Sequence, residues 1–259
     1  MFSLLNLLAA YFVVAYAFTW IFHGAILAFR LPFGKHLRSM AQALYVIGIA
    51  GPLVAAVLCA DLSGAWAVRD LLSGVMVWRF QALWYLAAVL PVGAVYFICI
   101  GLNAMFGGQT PKQLLRSPSR RLDFMAVGQL WVVIGEEIGW RGFALPHLHE
   151  MFGWLGASLV LGFLWASWHL PMFFVRGSNQ YGSSFLRYLM IITAWAVFMT
   201  MLYAQTGGSI LICMVYHAAA NIWAFTVNLP EEASRFILPA YLPLVIAALV
   251  LLPNSLLGL

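Results

Sequence analysis

Long apolar runs, broken at intervals by short polar stretches, dominate the chain. Crossing the hydrocarbon core of a bilayer takes about 20 apolar residues in an α-helix. On that ruler the pattern predicts helices over residues 4–29, 40–60, 82–105, 122–146, 155–175, 185–205, 208–228 and 236–253. The stretch 61–81 is too polar to span. Its Val68, Leu71, Leu72, Val75, Val77 and Trp78, flanked by Arg69 and Arg79, predict a helix lying in the membrane interface. Residues 107–121, with Pro111, Pro118, Lys112, Arg116, Arg120 and Arg121, form the clearest loop. No internal repeat is visible. The expected fold is therefore all-α: a polytopic membrane bundle of about eight transmembrane helices plus one interfacial helix. It is expected to form a single domain over residues 1–259, with its motif-bearing core at about 122–228.

Composition points to lipid as the solvent. Hydrophobic residues make up 64% of the chain and charged residues 8%, whereas a water-soluble domain is nearer half apolar and a quarter charged. The first residues lack a basic region, and their apolar run continues to about Phe29 without a small-residue cleavage site, so a retained first helix is expected. The net charge of +5 comes from scattered loop residues and forms no basic face. Membrane lipids with anionic headgroups are its natural partners, and nucleic acid is not. Cys59, Cys99 and Cys213 all lie in apolar runs without metal spacing and are expected as buried thiols. Basic residues concentrate in the loops after the first, third, fifth and seventh helices. The positive-inside rule then places both termini outside the cytoplasm of a multi-pass protein in a bacterial or archaeal-type plasma membrane.

Within such helices the ionisable residues carry the information, because each costs roughly 2.5–3.5 kcal/mol at mid-bilayer on insertion scales. The fourth helix contains Gly135-Glu136-Glu137-Ile138-Gly139-Trp140-Arg141-Gly142. Arg141 lies four residues after Glu137, on the same face, and can pair with it. Glu136 points about 100° away and has no sequence-local cation, which leaves it free to act as a base. A purely structural ion network among the three is the bland alternative. The fifth helix carries Trp165 and His169, with Pro171 expected to perturb the helix and free carbonyls beside the histidine. A lone membrane histidine is more often a packing residue than a ligand. The seventh helix places His217 and Asn221 one turn apart, separated by three alanines that permit close approach. An interhelical hydrogen-bonding pair would have the same spacing.

Depth unites these segments. At 1.5 Å per residue, Glu136 lies about 15 Å in from Pro146, His217 about 14 Å and Asn221 about 20 Å in from Gly208, and His169 about 21 Å in from Leu155. Independent adhesive residues would have no reason to share a level. A carboxylate beside a histidine can hold and deprotonate water, and a histidine with a carboxamide one turn away can stabilise an oxyanion. Those are the parts for amide hydrolysis. Ser167 lacks the oriented histidine of a triad. No cofactor is demanded by the pattern. A zinc ion between Glu136, His169 and His217 is a second version, and residue types do not separate the two. His147 and His149 could pair on a metal but are expected as interfacial loop residues.

The order E-E-x-x-x-R, an aromatic four before a histidine, then H-x-x-x-N, resembles the CAAX-processing and bacteriocin-processing intramembrane endopeptidases, which include the Ras-converting type of prenyl-protein protease. The matching residues are Glu136, Glu137 and Arg141; Trp165 and His169; and His217 and Asn221. The resemblance implies that Glu136 and His169 activate water, that His217 and Asn221 form the oxyanion pocket, and that Glu137, Arg141 and Trp165 support them. It implies a metal-independent glutamate mechanism and a peptide or lipidated protein, of prenylated CAAX type or a leader peptide, as substrate. Trp165 departs from the usual phenylalanine but keeps an aromatic wall. Two competing readings are a non-catalytic immunity or chaperone-like peptide-binding protein and a proton-coupled transporter. The absence of inverted halves weighs against the transporter.

Overall fold

The computed structural model describes residues 3–33, 39–63, 68–114, 120–227, 229 and 234–252. Its described elements are helical: α1 Leu4–Ala28, α2 Met40–Gly48, α3 Gly51–Ser63, α4 Val68–Ser73, α5 Ala82–Met105, α6 Pro111–Leu114, α7 Arg120–Glu137, α8 Leu145–Trp168, α9 Phe185–Gln205, α10 Ile210–Thr226 and α11 Ile237–Leu251. A π-helical segment, Ile138–Ala144, joins α7 to α8, and a 3-10 turn, Leu170–Phe173, follows α8. Leu4–Ala28, Met40–Asp61, Ala82–Met105, Gly128–Trp168 and Phe185–Gln205 are long and apolar enough to cross a bilayer, and α10 and α11 are shorter apolar helices. The 41-residue stretch Gly128–Trp168 holds two passes, because Gly153 takes φ 64° and ψ 177° and turns the chain within α8. The protein is thus a multi-pass helical membrane bundle. Many large apolar side chains, such as Val13, Ile21, Leu90 and Val250, point outward, as a lipid-facing surface requires.

Several boundaries depart from the sequence expectation, each for a local reason. The second span is broken at Gly48–Gly51 because Pro52 has no amide hydrogen and crowds the preceding turn. The carbonyl of Gly48 accepts instead from the Thr19 hydroxyl of α1 at 2.7 Å. The interfacial segment is helical over Val68–Ser73, continues as a 3-10 turn to Met76, and then leaves helical geometry. The Val77 carbonyl is captured by the Ser209 hydroxyl at the start of α10 at 2.6 Å. The fifth pass is shorter than expected, ending at Trp168 rather than near 175. The 15 residues 154–168 cover about 22 Å, short of the roughly 30 Å hydrocarbon core. The chain continues as the 3-10 turn Leu170–Phe173 and then as irregular backbone, which membranes tolerate only inside protein or along a cavity.

Glycines let the central segments approach closely. A Cβ on Gly139 would come within 2.5 Å of the Pro52 backbone, and one on Gly142 would meet Ile210 and Leu71. The π-helical segment is therefore held against α3 and the interfacial turn by backbone contact. Trp140 and Phe143 flank that seam, packing on Tyr11 of α1 with ring centroids 5.8 and 4.9 Å apart. Gly139→Ala is expected to push the segment off α3 and cost about 1–3 kcal/mol. A thermal melt of the purified protein in detergent, compared with Gly101→Ala, where a Cβ meets nothing within 4 Å, checks this.

Candidate active site

The centre of the site is a buried charge cluster. Glu137, at the last turn of α7, and Arg141, in the π-helical segment, have no solvent exposure. Arg141 Nη1 lies 3.0 and 2.9 Å from the two Glu137 oxygens. Its Nη2 donates to the Met199 sulfur at 3.3 Å, and its guanidinium sits 4.3 Å from the Trp165 ring centroid. Glu137 Oε1 also lies 2.7 Å from His217 Nδ1 of α10. The predicted i, i+4 ion pair is present. The sequence spacing did not show that it reaches across to His217.

Glu136 faces the other way, and its neighbour was not foreseen. The Trp165 indole N–H donates to Glu136 Oε2 at 2.6 Å. Trp165 is thus a hydrogen-bond donor to the carboxylate as well as an aromatic wall. The same residue's backbone carbonyl lies 2.9 Å from His169 Nδ1. A carbonyl oxygen can only accept, so that ring nitrogen carries the proton and Nε2 keeps a lone pair. The end of α8 makes this possible. Pro171 offers no N–H to continue the helix, and the His169 N–H turns back to the Ala166 carbonyl at 3.1 Å. The Trp165 carbonyl is released to the imidazole, and the Trp168 carbonyl to the Trp20 indole at 2.9 Å.

A cavity of about 300 Å³ opens beside these groups, lined by Glu136, Trp165, His169, His217 and Asn221 among others. Glu137 and Arg141 stand behind it, outside the lining. Asn221 Nδ2 donates to Gln129 Oε1 at 2.8 Å. Gln129, buried and on the cavity wall, lies seven residues before Glu136 and hence on the same face of α7 two turns earlier. The seven-residue offset from Glu136 is the sequence signal for this placement. Tyr188, whose ring centroid is 5.5 Å from that of His169, and Asn179, Gln180 and Ser183 of the following loop also line the cavity. No periodicity marks loop residues of this kind.

Other sequence candidates lie apart. The Ser167 hydroxyl donates to the Phe163 carbonyl at 2.8 Å. His147 and His149 are helical, not loop residues. His147 is buried with Nδ1 2.7 Å from the Phe143 carbonyl, and His149 stacks on Trp154. Among the described residues, no three or more His, Cys, Asp or Glu side chains are arranged to hold a metal ion. The Glu136, His169 and His217 set therefore does not fit zinc in this geometry. The three cysteines are free and buried. Arg141→Met removes the cation from a fully buried carboxylate, and breaking such a pair costs about 3–5 kcal/mol. A corresponding drop in thermal stability in detergent is the expected outcome.

Residues 119–223 match the family model described as Type II CAAX prenyl endopeptidase Rce1-like. The chain is also 26% identical over 254 residues to the protein named CAAX prenyl protease 2 of Methanococcus maripaludis, covering 93% of this chain and 92% of that relative. The match spans Glu136, Glu137, Arg141, Trp165, His169, His217 and Asn221, whereas Tyr45, Tyr96 and Ile237 of the cavity wall lie outside it. By these two likenesses this multi-pass helical protein is similar to membrane endopeptidases of the Rce1-like type.

Proposed function

We propose that this protein hydrolyses a peptide bond near the membrane-associated end of a peptide or lipidated protein, by water activated between Glu136 and His169. The observation that carries the reading is the convergence of Glu136, His169, His217 and Asn221 on one cavity. Glu136 has one oxygen engaged by Trp165 and one left for a water. The His169 Nε2 lone pair is the second acceptor for that water. Glu136 takes the water's proton as the oxygen attacks the scissile carbonyl carbon. The carbonyl oxygen becomes an oxyanion, and the proton passes to the leaving nitrogen as the carbon–nitrogen bond breaks.

His217 and Asn221 are the proposed donors to that oxyanion. His217 Nδ1 is committed to Glu137, so Nε2 is the ring nitrogen left for the cavity. For Nε2 to donate, the ring must carry both protons, and the Glu137 carboxylate is the counter-charge for that form. Asn221 keeps a second amide hydrogen beyond the one given to Gln129. Among the described residues no lysine or arginine lines the cavity, so it offers no dedicated cationic clamp for a terminal carboxylate. This favours an internal bond over removal of a single C-terminal residue. The name of the Methanococcus relative points to a prenylated CAAX terminus as the substrate class.

The test is release of the C-terminal fragment from a prenylated CAAX peptide by the protein in proteoliposomes. Glu136→Gln and His169→Ala are each expected to lower kcat by about 10²–10⁴, and Asn221→Ala by about 10², with the protein still folded in the membrane. Activity retained by both Glu136→Gln and His169→Ala overturns the mechanism. A wild-type protein that cuts an unprenylated leader peptide and leaves the prenylated one intact overturns the substrate class. Gln129→Met, which keeps shape but removes the acceptor for Asn221, is expected to lower kcat about tenfold with KM unchanged. Gln129→Glu, which keeps the acceptor, is expected to restore it, and neither substitution should matter once Asn221 is alanine.

A further inference from the structure

A second pocket, of about 510 Å³, lies between the end of α1 and the segment that follows the 3-10 turn, and shares no lining residue with the first. Two guanidinium groups, Arg30 and Arg176, line it, with apolar walls that include Leu27, Leu31, Phe174 and Val175. Among the described residues no aspartate or glutamate lines it, and neither guanidinium has a hydrogen-bond or ion-pair partner. Two like charges on one pocket wall repel unless an anion sits between them.

The backbone at Arg30 adds an independent observation. Arg30 N–H donates to the Leu27 carbonyl at 3.1 Å, and Leu31 N–H to the Ile26 carbonyl at 3.0 Å. This is a Schellman ending, with Arg30 at the left-handed position that glycine normally fills. Its φ of 49° makes it the one non-glycine residue with positive φ among the described residues. A cation at a helix C-terminus is favourable, but an arginine one residue earlier would supply that without the strain. The left-handed residue is where the side chain leaves the helix axis and reaches the pocket wall. Depth identifies the ligand. The 25 residues of α1 extend about 37 Å, longer than the roughly 30 Å hydrocarbon core, so the end of α1 reaches headgroup level.

We propose that Arg30 and Arg176 hold the phosphate of an anionic phospholipid, with an acyl chain running along Leu27 and Phe174. Phe174 is 64% exposed, as a side chain that meets lipid would be. Planar, forked donors suit phosphate oxygens, and a free phosphate would have no use for the apolar wall.

The full chain in detergent, titrated with phosphatidylglycerol and examined by native mass spectrometry, tests this. One tightly retained phosphatidylglycerol per protein is expected, with phosphatidylcholine bound more weakly. Arg30→Gly and Arg176→Gln should each weaken retention by about fivefold or more, the effect of one interfacial arginine on anionic lipid. Arg30→Gly relieves the left-handed strain, so its melting temperature should not fall, which separates lost binding from lost folding. Unchanged phosphatidylglycerol retention in both variants, equal retention of phosphatidylcholine, or the same thermal shift from inorganic phosphate alone would each overturn the proposal.

Discussion

The buried contact of Glu137 with Arg141 and His217 is the constraint on which the interior is built. A carboxylate with no access to water is tolerable only when cations and donors surround it. Arg141 approaches both oxygens, and His217 brings α10 to the same carboxylate. Because one partner is local and the other 80 residues away, meeting the electrostatic requirement also sets the spacing of α7, the π-helical segment and α10. The wider turn of the π-helix, with Gly139 and Gly142 against α3 and the interfacial turn, is the local backbone that lets Arg141 remain in this seam. Turning Glu137 inward leaves Glu136, one residue away, directed at the cavity.

The second half of the site depends on an interrupted helix. Pro171 stops α8 at Trp168, and the carbonyls left without their usual partners are satisfied by the His169 ring and the Trp20 indole. Trp165 links the two water-facing groups, its indole on Glu136 and its carbonyl on His169. A single residue therefore sets the relative placement of the proposed base and the imidazole beside it. The loop that replaces the missing helical turns supplies neutral polar groups at the cavity, a suitable lining for peptide amides that must leave water. The same shortened pass leads to Arg176, so the interruption that shapes the proposed catalytic cavity also forms one wall of the arginine pocket at the membrane boundary.

The sequence alone determined the solvent, the all-helical membrane character and the rough limits of most apolar helices, and it singled out the seven motif residues as candidates. The reason is that lipid permits few answers: an apolar run of sufficient length becomes a helix, and each buried polar group becomes conspicuous. The Glu137–Arg141 pair was legible because four residues make one turn. Tertiary structure alone decided who else each group meets. The capture of Glu136 by Trp165, of His217 by Glu137 and of Asn221 by Gln129 joins residues 29 to 92 positions apart, and helical periodicity carries no information about contacts between helices. The break after Trp168 could be suspected from Pro171, but the use of the freed carbonyls could not, since that depends on which side chains the neighbouring helices bring within reach.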